Sequence, residues 1–357
     1  MTQNHVRADC NDRLLIRIVV WLAACGSVLA ALVTLAAMGA RWNSICELAT
    51  HWPLQLTVST VLACSVLLVS RRWKWAGLAG TIALVNAIQL APLFFPQHHG
   101  AVAGPICRAI SVNVHTTNQE TNRFIEFARS QDADFMVVME IDDRWREAIE
   151  ELGDDYPFSI YRPRSDNFGI ALLSRHVIRS ERVASLDDSG VPTIIATVDF
   201  HGQPLNVVGT HPLPPIGRRR AALRDQHLAR LGEVVLQLPH PTIVLGDLNV
   251  TSWSPCFRDL LKQSDLQDSR LGFGVQPTWP SNSWLLRIPI DHALVSRDLI
   301  VTERFVGPDI GSDHRPIVVE FARASRQTVS ESCGIENRRR DGRLRVDRVS
   351  VHTSLAR

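Results

Sequence analysis

The sequence predicts an α+β protein, a four-layer α/β/β/α sandwich preceded by three transmembrane helices. Two observations carry this. The first hundred residues hold three long apolar runs, and from residue 107 onward short β-like runs follow one another with only a few amphipathic helical stretches between them. A strand-rich chain of that kind buries its apolar faces as two packed sheets with helices on the outside, and about 215 residues suffice for one sizeable core.

The apolar runs come first. Residues 18–40 carry no charge, residues 54–69 are broken only by Gln55 and hydroxyl residues, and residues 76–95 only by Thr81, Asn86 and Gln89. A span needs roughly 20 apolar residues, so the first and third qualify and the second does so once Trp52 and Pro53 are counted. Arg7, Arg13 and Arg17 precede the first run, and Arg71, Arg72 and Lys74 join the second to the third. Basic flanks mark cytoplasmic ends, so an odd number of spans places everything after Phe95 outside the cytoplasm. The first run is too long for the apolar core of a secretory signal peptide.

The chain then divides into a cytoplasmic N-terminus (1–17), three transmembrane helices (18–95), a Pro/Gly/His linker (96–106), a folded domain (107–322) and a disordered basic tail (323–357) with the run Arg338-Arg339-Arg340. Within the domain, residues 108–114 and 135–139 read as strands, and 121–130 and 142–152 as helices. Strands follow at 158–161, 169–173, 178–183, 193–200 and 205–209, with His201-Gly202 as a hairpin turn. The longest helix of the domain is expected over 218–238, and strands at 242–245, 291–296, 301–306 and 316–321 complete the set. Cys107, Cys256 and Cys333 show no metal or redox spacing. The net charge of +2 distinguishes no partner class.

Polar residues of ligand type recur where these strands end. Asn113 closes the first, Glu140 follows the second, His211 follows residues 205–209, Gly246-Asp247-Leu248-Asn249 follows 242–245, Asp291-His292 opens the next strand, and Ser312-Asp313-His314 precedes the last. Packing alone does not require that distribution. Asp247 and Asn249, two apart on extended chain, point to one side. Carboxylate, amide and imidazole groups brought together can hold a hard cation, activate a water and move a proton. Glu140 suits a hard cation such as Mg²⁺, which takes carboxylate oxygens and keeps several waters. A carboxylate such as Asp291, brought beside His314, would fix its tautomer and raise its basicity. His292 should face away from Asp291 and is left out. Singly, each has an ordinary reading: Glu140 as a helix cap, Asp247 and Asn249 as an Asx turn, Asp313 as a turn cap.

Taken in order, Ser111-Val112-Asn113-Val114, Glu140, the segment Phe168-Gly169-Ile170-Ala171-Leu172-Leu173-Ser174-Arg175, Thr210-His211, Gly246-Asp247-Leu248-Asn249, Ile290-Asp291-His292 and Ser312-Asp313-His314-Arg315-Pro316 resemble the endonuclease/exonuclease/phosphatase superfamily with the deoxyribonuclease-like fold. The three leading apolar runs resemble its membrane-anchored bacterial branch.

The resemblance implies a metal-dependent phosphoester hydrolase: a metal site of Asn113, Glu140 and Asp313 for Mg²⁺, with Mn²⁺ as a substitute; phosphate binding by Asn113, Asn249 and His314; and catalysis by His211, Asp247, Asn249, Asp291 and His314. It departs from the pattern at His115, where some repair nucleases carry an acid, and near Gly169, where only Asp166 offers His211 a carboxylate. It also implies a multi-pass inner-membrane protein with its catalytic domain in the periplasm or outside. The expected activity is nuclease-like cleavage of phosphodiesters; a phospholipid-headgroup or other small phosphoester hydrolase at the envelope, and a catalytically silent envelope scaffold, are the alternatives. No protein partner can be inferred. Trp279 and Trp284 flank the loop where the superfamily places substrate-contacting groups.

Overall fold

A computed structural model describes residues 2–95, 101–239 and 241–325, with side chains from residue 13 onward. Of the expected linker (96–106) and basic tail (323–357), residues 96–100 and 326–357 lie outside the described residues, while 102–106 and 323–324 belong to two strands that pair with each other and not to linker or tail.

Helix α1 (Thr2–Met38) leads into a short α2 (Ser44–Leu48), a 3-10 turn (Ala49–His51), α3 (Pro53–Val69) and α4 (Trp73–Leu90). Among the described residues two segments, Arg13–Met38 and Trp73–Leu93, are long and apolar enough to cross a membrane. This corrects the expectation of three such helices. The middle run forms only the 17 residues of α3, joined to Ser44–His51 through a 62° bend, so a third span exists only if that bent pair counts as one. The bend has a local cause: Pro53 supplies no N–H and biases Trp52 away from helical geometry, and Trp52 sits at φ −114°, ψ 21°. The helices pack through small residues, with Ala76 and Ala79 against Ala23, Ala24 and Ala63, as helices without a water-driven force between them do.

The folded domain is a sandwich of two six-stranded sheets. The first comprises β1 (Val102–Asn113), β2 (Phe135–Met139), β3 (Phe158–Arg162), β4 (Ile170–Ser174), β11 (Leu299–Val306) and β12 (Ile317–Ala324), in the order β11-β12-β1-β2-β4-β3. The second comprises β5 (Ile178–Ser185), β6 (Pro192–Phe200), β7 (Gln203–Thr210), β8 (Thr242–Asp247), β9 (Leu266–Asp268) and β10 (Asp291–Ser296), in the order β5-β6-β7-β8-β10-β9. Each is mostly antiparallel with one parallel pair at its centre, β1 with β2 and β7 with β8.

Alternation along each strand sends one set of side chains inward and the other to the helices. Ala109, Phe135, Val137, Leu172, Val207, Ile243, Leu245 and Val295 fill the space between the sheets. Outside the first sheet lie α5 (Thr121–Gln131) and α6 (Asp143–Glu150), over Val112, Met136 and Val138. Outside the second lie α7 (Gly217–Leu236) and α8 (Pro255–Ser264), over Val208, Val244 and Leu294. This is the expected four-layer α+β arrangement. α6 begins where the Asp142 side chain accepts from the Trp145 N–H at 2.8 Å, a cap worth about 1 kcal/mol. The wholly buried Trp145 ring meets Phe124 edge-on at 5.7 Å, worth a further ~1 kcal/mol beyond area burial.

The helical unit is seated on the sandwich. Arg41 pairs with Asp259 at 2.8 Å, His51 Nδ1 lies 3.1 Å from the Thr251 hydroxyl, the Trp253 indole donates to the Gln89 carbonyl at 3.3 Å, and Gly274 N donates to the Leu93 carbonyl at 2.7 Å. Leu90 and Leu93 join Trp253 and Val275 in a small core of their own.

Candidate active site

The two sheets bring their polar strand ends together at one edge of the sandwich. Register places Asp291, first residue of β10, opposite Asp247, last residue of β8. In the first sheet Asn113 ends β1 opposite Met139, and Glu140 follows directly. Gly246 has no alternative at its position: a Cβ there would lie 1.9 Å from the carbonyl oxygen of Thr210 on the neighbouring parallel strand, which leads straight into His211. Glu140, Asn249 and His115 all adopt positive φ, at +62°, +50° and +59°. Non-glycine residues pay for that conformation, and such outliers collect at functional sites.

His314 is the hub. Its Nδ1 lies 2.9 Å from Asp291 Oδ2 and its Nε2 3.6 Å from Asp247 Oδ2. The same Asp247 oxygen lies 3.5 Å from His211 Nε2 and 3.5 Å from Asn113 Nδ2. The other Asp247 oxygen accepts from the Asn249 backbone N–H at 2.9 Å, and the Asn249 side chain donates to the Pro212 carbonyl at 3.0 Å. Across the cleft, Asn113 Nδ2 donates to Glu140 Oε1 at 2.8 Å, while its Oδ1 accepts from the His115 N–H at 3.0 Å. His115 Nδ1 stands 3.1 Å from Asp313 Oδ1 and 3.6 Å from Glu140 Oε2. Every sequence-predicted site residue therefore reaches one constellation, and His292 is apart from it, bonded to the Val250 carbonyl and packed on Phe257.

Electrostatics follow from burial and pairing. Burial alone would pull the His314 imidazole down, but the Asp291 and Asp247 carboxylates beside it push it up to about 10. His211 is likewise buried, and its bond to Asp247 holds it above the usual histidine value. Burial opposes ionisation of Asp247, yet His314 and His211 keep its carboxyl below the usual range. Burial raises Asp291, with the Asp247 charge adding to it. The arrangement thus keeps one carboxylate ionised between two imidazoles, at least one of them cationic at neutrality.

Some contacts were not visible in the sequence. Asp166 pairs with Arg164 and not with His211, whose ring instead packs at 5.3 Å on Phe168. Asp187, in the turn between β5 and β6, has its carboxylate 3.1 Å from the buried His227, which in turn lies 2.7 Å from the Thr210 hydroxyl, one residue before His211. Ser312 donates to the Asn113 carbonyl at 2.7 Å and accepts from the His314 N–H at 3.0 Å, locking the last loop onto β1. The Trp279 indole donates to Asp313 Oδ2 at 3.0 Å. The loop glycines, serines and tryptophans around this segment were the only sequence signal for these bonds.

The model of the Endonuclease/Exonuclease/phosphatase family matches residues 110–314. The chain belongs to the endonuclease/exonuclease/phosphatase family. Family members are hydrolases of phosphoester bonds. Among solved structures, an endonuclease/exonuclease/phosphatase from Bacteroides vulgatus shares 14% identity at a TM-score of 0.52, covering 62% of this chain and all of its own. Another from Beutenbergia cavernae shares 18% at 0.51, covering 62% of this chain and 72% of its own. D. rerio TDP2, solved with a single-strand DNA product, shares 16% at 0.52, covering 61% and 99%. At these identities the likeness is one of fold. No curated protein matches the sequence.

Endonuclease/exonuclease/phosphatase proteins generally use a divalent metal, and the donors present suit one. Glu140 and Asp313 offer hard carboxylate oxygens, the kind Mg²⁺ prefers, and the buried Asp313 Oδ1 makes no hydrogen bond, with the His115 ring nitrogen beside it at 3.1 Å. Asn113 has both amide atoms engaged, one on Glu140 itself, so it aims that carboxylate. Among the described residues two further groups bring metal-type donors close together: Asp247, Asp291 and His314 within the centre, and Glu47, Asp225 and Cys256, where the Arg224 guanidinium already bonds both acids.

Proposed function

We propose that the protein is a membrane-anchored, Mg²⁺-dependent phosphodiesterase acting by in-line attack of water. The observation that carries this reading is the Asp247 carboxylate held between His211 and His314, with Asp291 behind His314 and Glu140 across the cleft. Glu140 and Asp313 would hold the ion, with Asn113 orienting Glu140. When bound, such an ion neutralises phosphate charge and polarises the phosphorus.

The residues of the chain do the rest. Asp247, ionised beside Asn249, positions a water and takes its proton as the oxygen bonds to phosphorus. His314, kept cationic by Asp291, donates to a phosphate oxygen and offsets charge growing in the transition state. His211, the second imidazole on Asp247, gives its proton to the departing oxygen. Burial of the whole set strengthens each interaction. Nucleic acid is the substrate class the sequence favours, while the residues of the centre contact a phosphodiester without selecting what it joins.

The two membrane-length helices support membrane anchoring, and with the bent pair between them counted as one further crossing the basic flanks put the sandwich outside the cytoplasm. A reporter fused after residue 325 should then be active only outside; activity inside would refute the topology. For the chemistry, the full-length protein in detergent should hydrolyse bis(p-nitrophenyl) phosphate with Mg²⁺ and stop on chelation. Undiminished turnover with the metal stripped away, or in an Asp247→Asn variant, would sink the reading.

A further inference from the structure

The loop over residues 279–287 is stitched on one side to the catalytic residues and on the other to the helical unit. Ser281 N donates to the Asp313 carbonyl at 2.7 Å and its hydroxyl to the Ser312 carbonyl at 2.6 Å, immediately before His314. Gln55, in the first turn of α3, donates to the carbonyls of Leu285 and Arg287 at 3.2 and 3.1 Å. The tip between these anchors is apolar and bare: Trp284 is 83% exposed, with Leu285 and Leu286 more than half exposed. At the same end of the helical unit Trp42, Ile45, Leu48, Phe94 and Phe95 are exposed as well. α2 divides its faces, with Glu47 buried in the sandwich and Ile45 outward.

Aromatic and apolar side chains at the ends of membrane helices mark the headgroup level of a bilayer. A water-facing loop gains nothing by showing Trp-Leu-Leu, and a patch continuous with membrane helix ends has the bilayer as its occupant. The exposed Arg218, Arg219 and Arg220 open α7, the helix whose Arg224 bonds Glu47, and add positive charge on that side.

We infer that the active site opens at the bilayer surface and that its substrate is the phosphodiester of a glycerophospholipid headgroup, drawn up beside the inserted Trp284-Leu285-Leu286 tip. This rests on the phosphodiesterase reading above. One water is consumed: its oxygen bonds to phosphorus, one ester P–O bond breaks, and the departing alkoxide takes a proton while the phosphate keeps the hydroxyl.

The test reconstitutes the full-length protein with Mg²⁺ in vesicles of phosphatidylethanolamine and phosphatidylglycerol. Lipid loss and the appearance of diacylglycerol or phosphatidate are followed by mass spectrometry, beside turnover of bis(p-nitrophenyl) phosphate and of a DNA oligonucleotide. Lipid should be cleaved in preference to DNA. A variant with Leu285→Ser and Leu286→Ser should lose about tenfold on vesicles, since it removes side chains that enter the interface, with turnover of the soluble diester and the melting temperature unchanged. Cleavage of the soluble diester with lipid untouched, or preference for DNA, would overturn the lipid assignment and leave the phosphodiesterase standing. Equal lipid turnover by the double variant would overturn the role of the loop. Inactivity on all three substrates would remove both readings.

Discussion

Glu47 and Arg224, 177 residues apart, form a buried ion pair that joins the helical unit to the active-site loop. The same guanidinium donates to the Asn249 carbonyl at 2.9 Å, while the other Glu47 oxygen accepts from Ser254 at 2.6 Å. One carboxylate thus supports both the seat of the sandwich and the backbone that sets Asn249. Removing it strips the buried Arg224 of its buried partner and leaves only the half-exposed Asp225 at 2.8 Å, a loss of up to about 3–5 kcal/mol. Glu47→Ala should therefore lower the detergent-state melting temperature and the turnover together. The double variant Glu47→Leu with Arg224→Met should recover most of the stability, and a thermal melt of both proteins checks it.

Asp247→Asn keeps shape and removes charge. It should reduce turnover of a soluble phosphodiester by roughly 10²–10⁴-fold, the scale of a lost acid–base group. Substrate binding should change little, so a steady-state comparison should place the loss in kcat.

Gly246→Ala tests the close approach of β8 to β7. The obstructing atom is the Thr210 carbonyl oxygen, which is backbone, so no neighbouring side chain can step aside. Destabilisation should reach or exceed the usual overpacking cost of about 1–3 kcal/mol. Urea unfolding of the purified protein measures it.

Asp268 and Arg270 form a buried pair at 2.7 Å behind β10. Burial would raise the Asp268 carboxyl, but Arg270 outweighs it and holds the group at about 2. A depressed folded-state value contributes stability above the unfolded value near 4 and loses it as pH falls toward 2, worth roughly 2 kcal/mol. The gap in stability between the native chain and Asp268→Asn should therefore narrow as pH is lowered from 5 to 2, as read from denaturation midpoints. A gap independent of pH would contradict this.

The convergence of the candidate site was legible because its members sit where strands stop. Asp247, Asp291 and His314 each border a run of buried β residues, and strands that share a sheet must align their ends, so the sequence pattern already implied convergence. Glu140 was legible for the same reason, although its positive φ was not. The Glu47 contact was hidden because Arg224 follows three arginines on a helix that reads as a solvated basic face; only packing shows that its side chain turns inward. The Asp187–His227–Thr210 chain was hidden too, because a hairpin aspartate and a helix histidine carry no mark of meeting. The middle apolar run was overread as one straight span, since composition gives length but not the break at Trp52 and Pro53.

The groups proposed for catalysis are shared out between the two sheets: Asn113, Glu140, Asp313 and His314 hang from the first, and His211, Asp247, Asn249 and Asp291 from the second. No single sheet retains a competent half. Heating should therefore extinguish activity in step with the melting of the apolar layer between the sheets, with no surviving fragment that still turns over substrate, so that enzymatic output doubles as a gauge of whether the sandwich is closed.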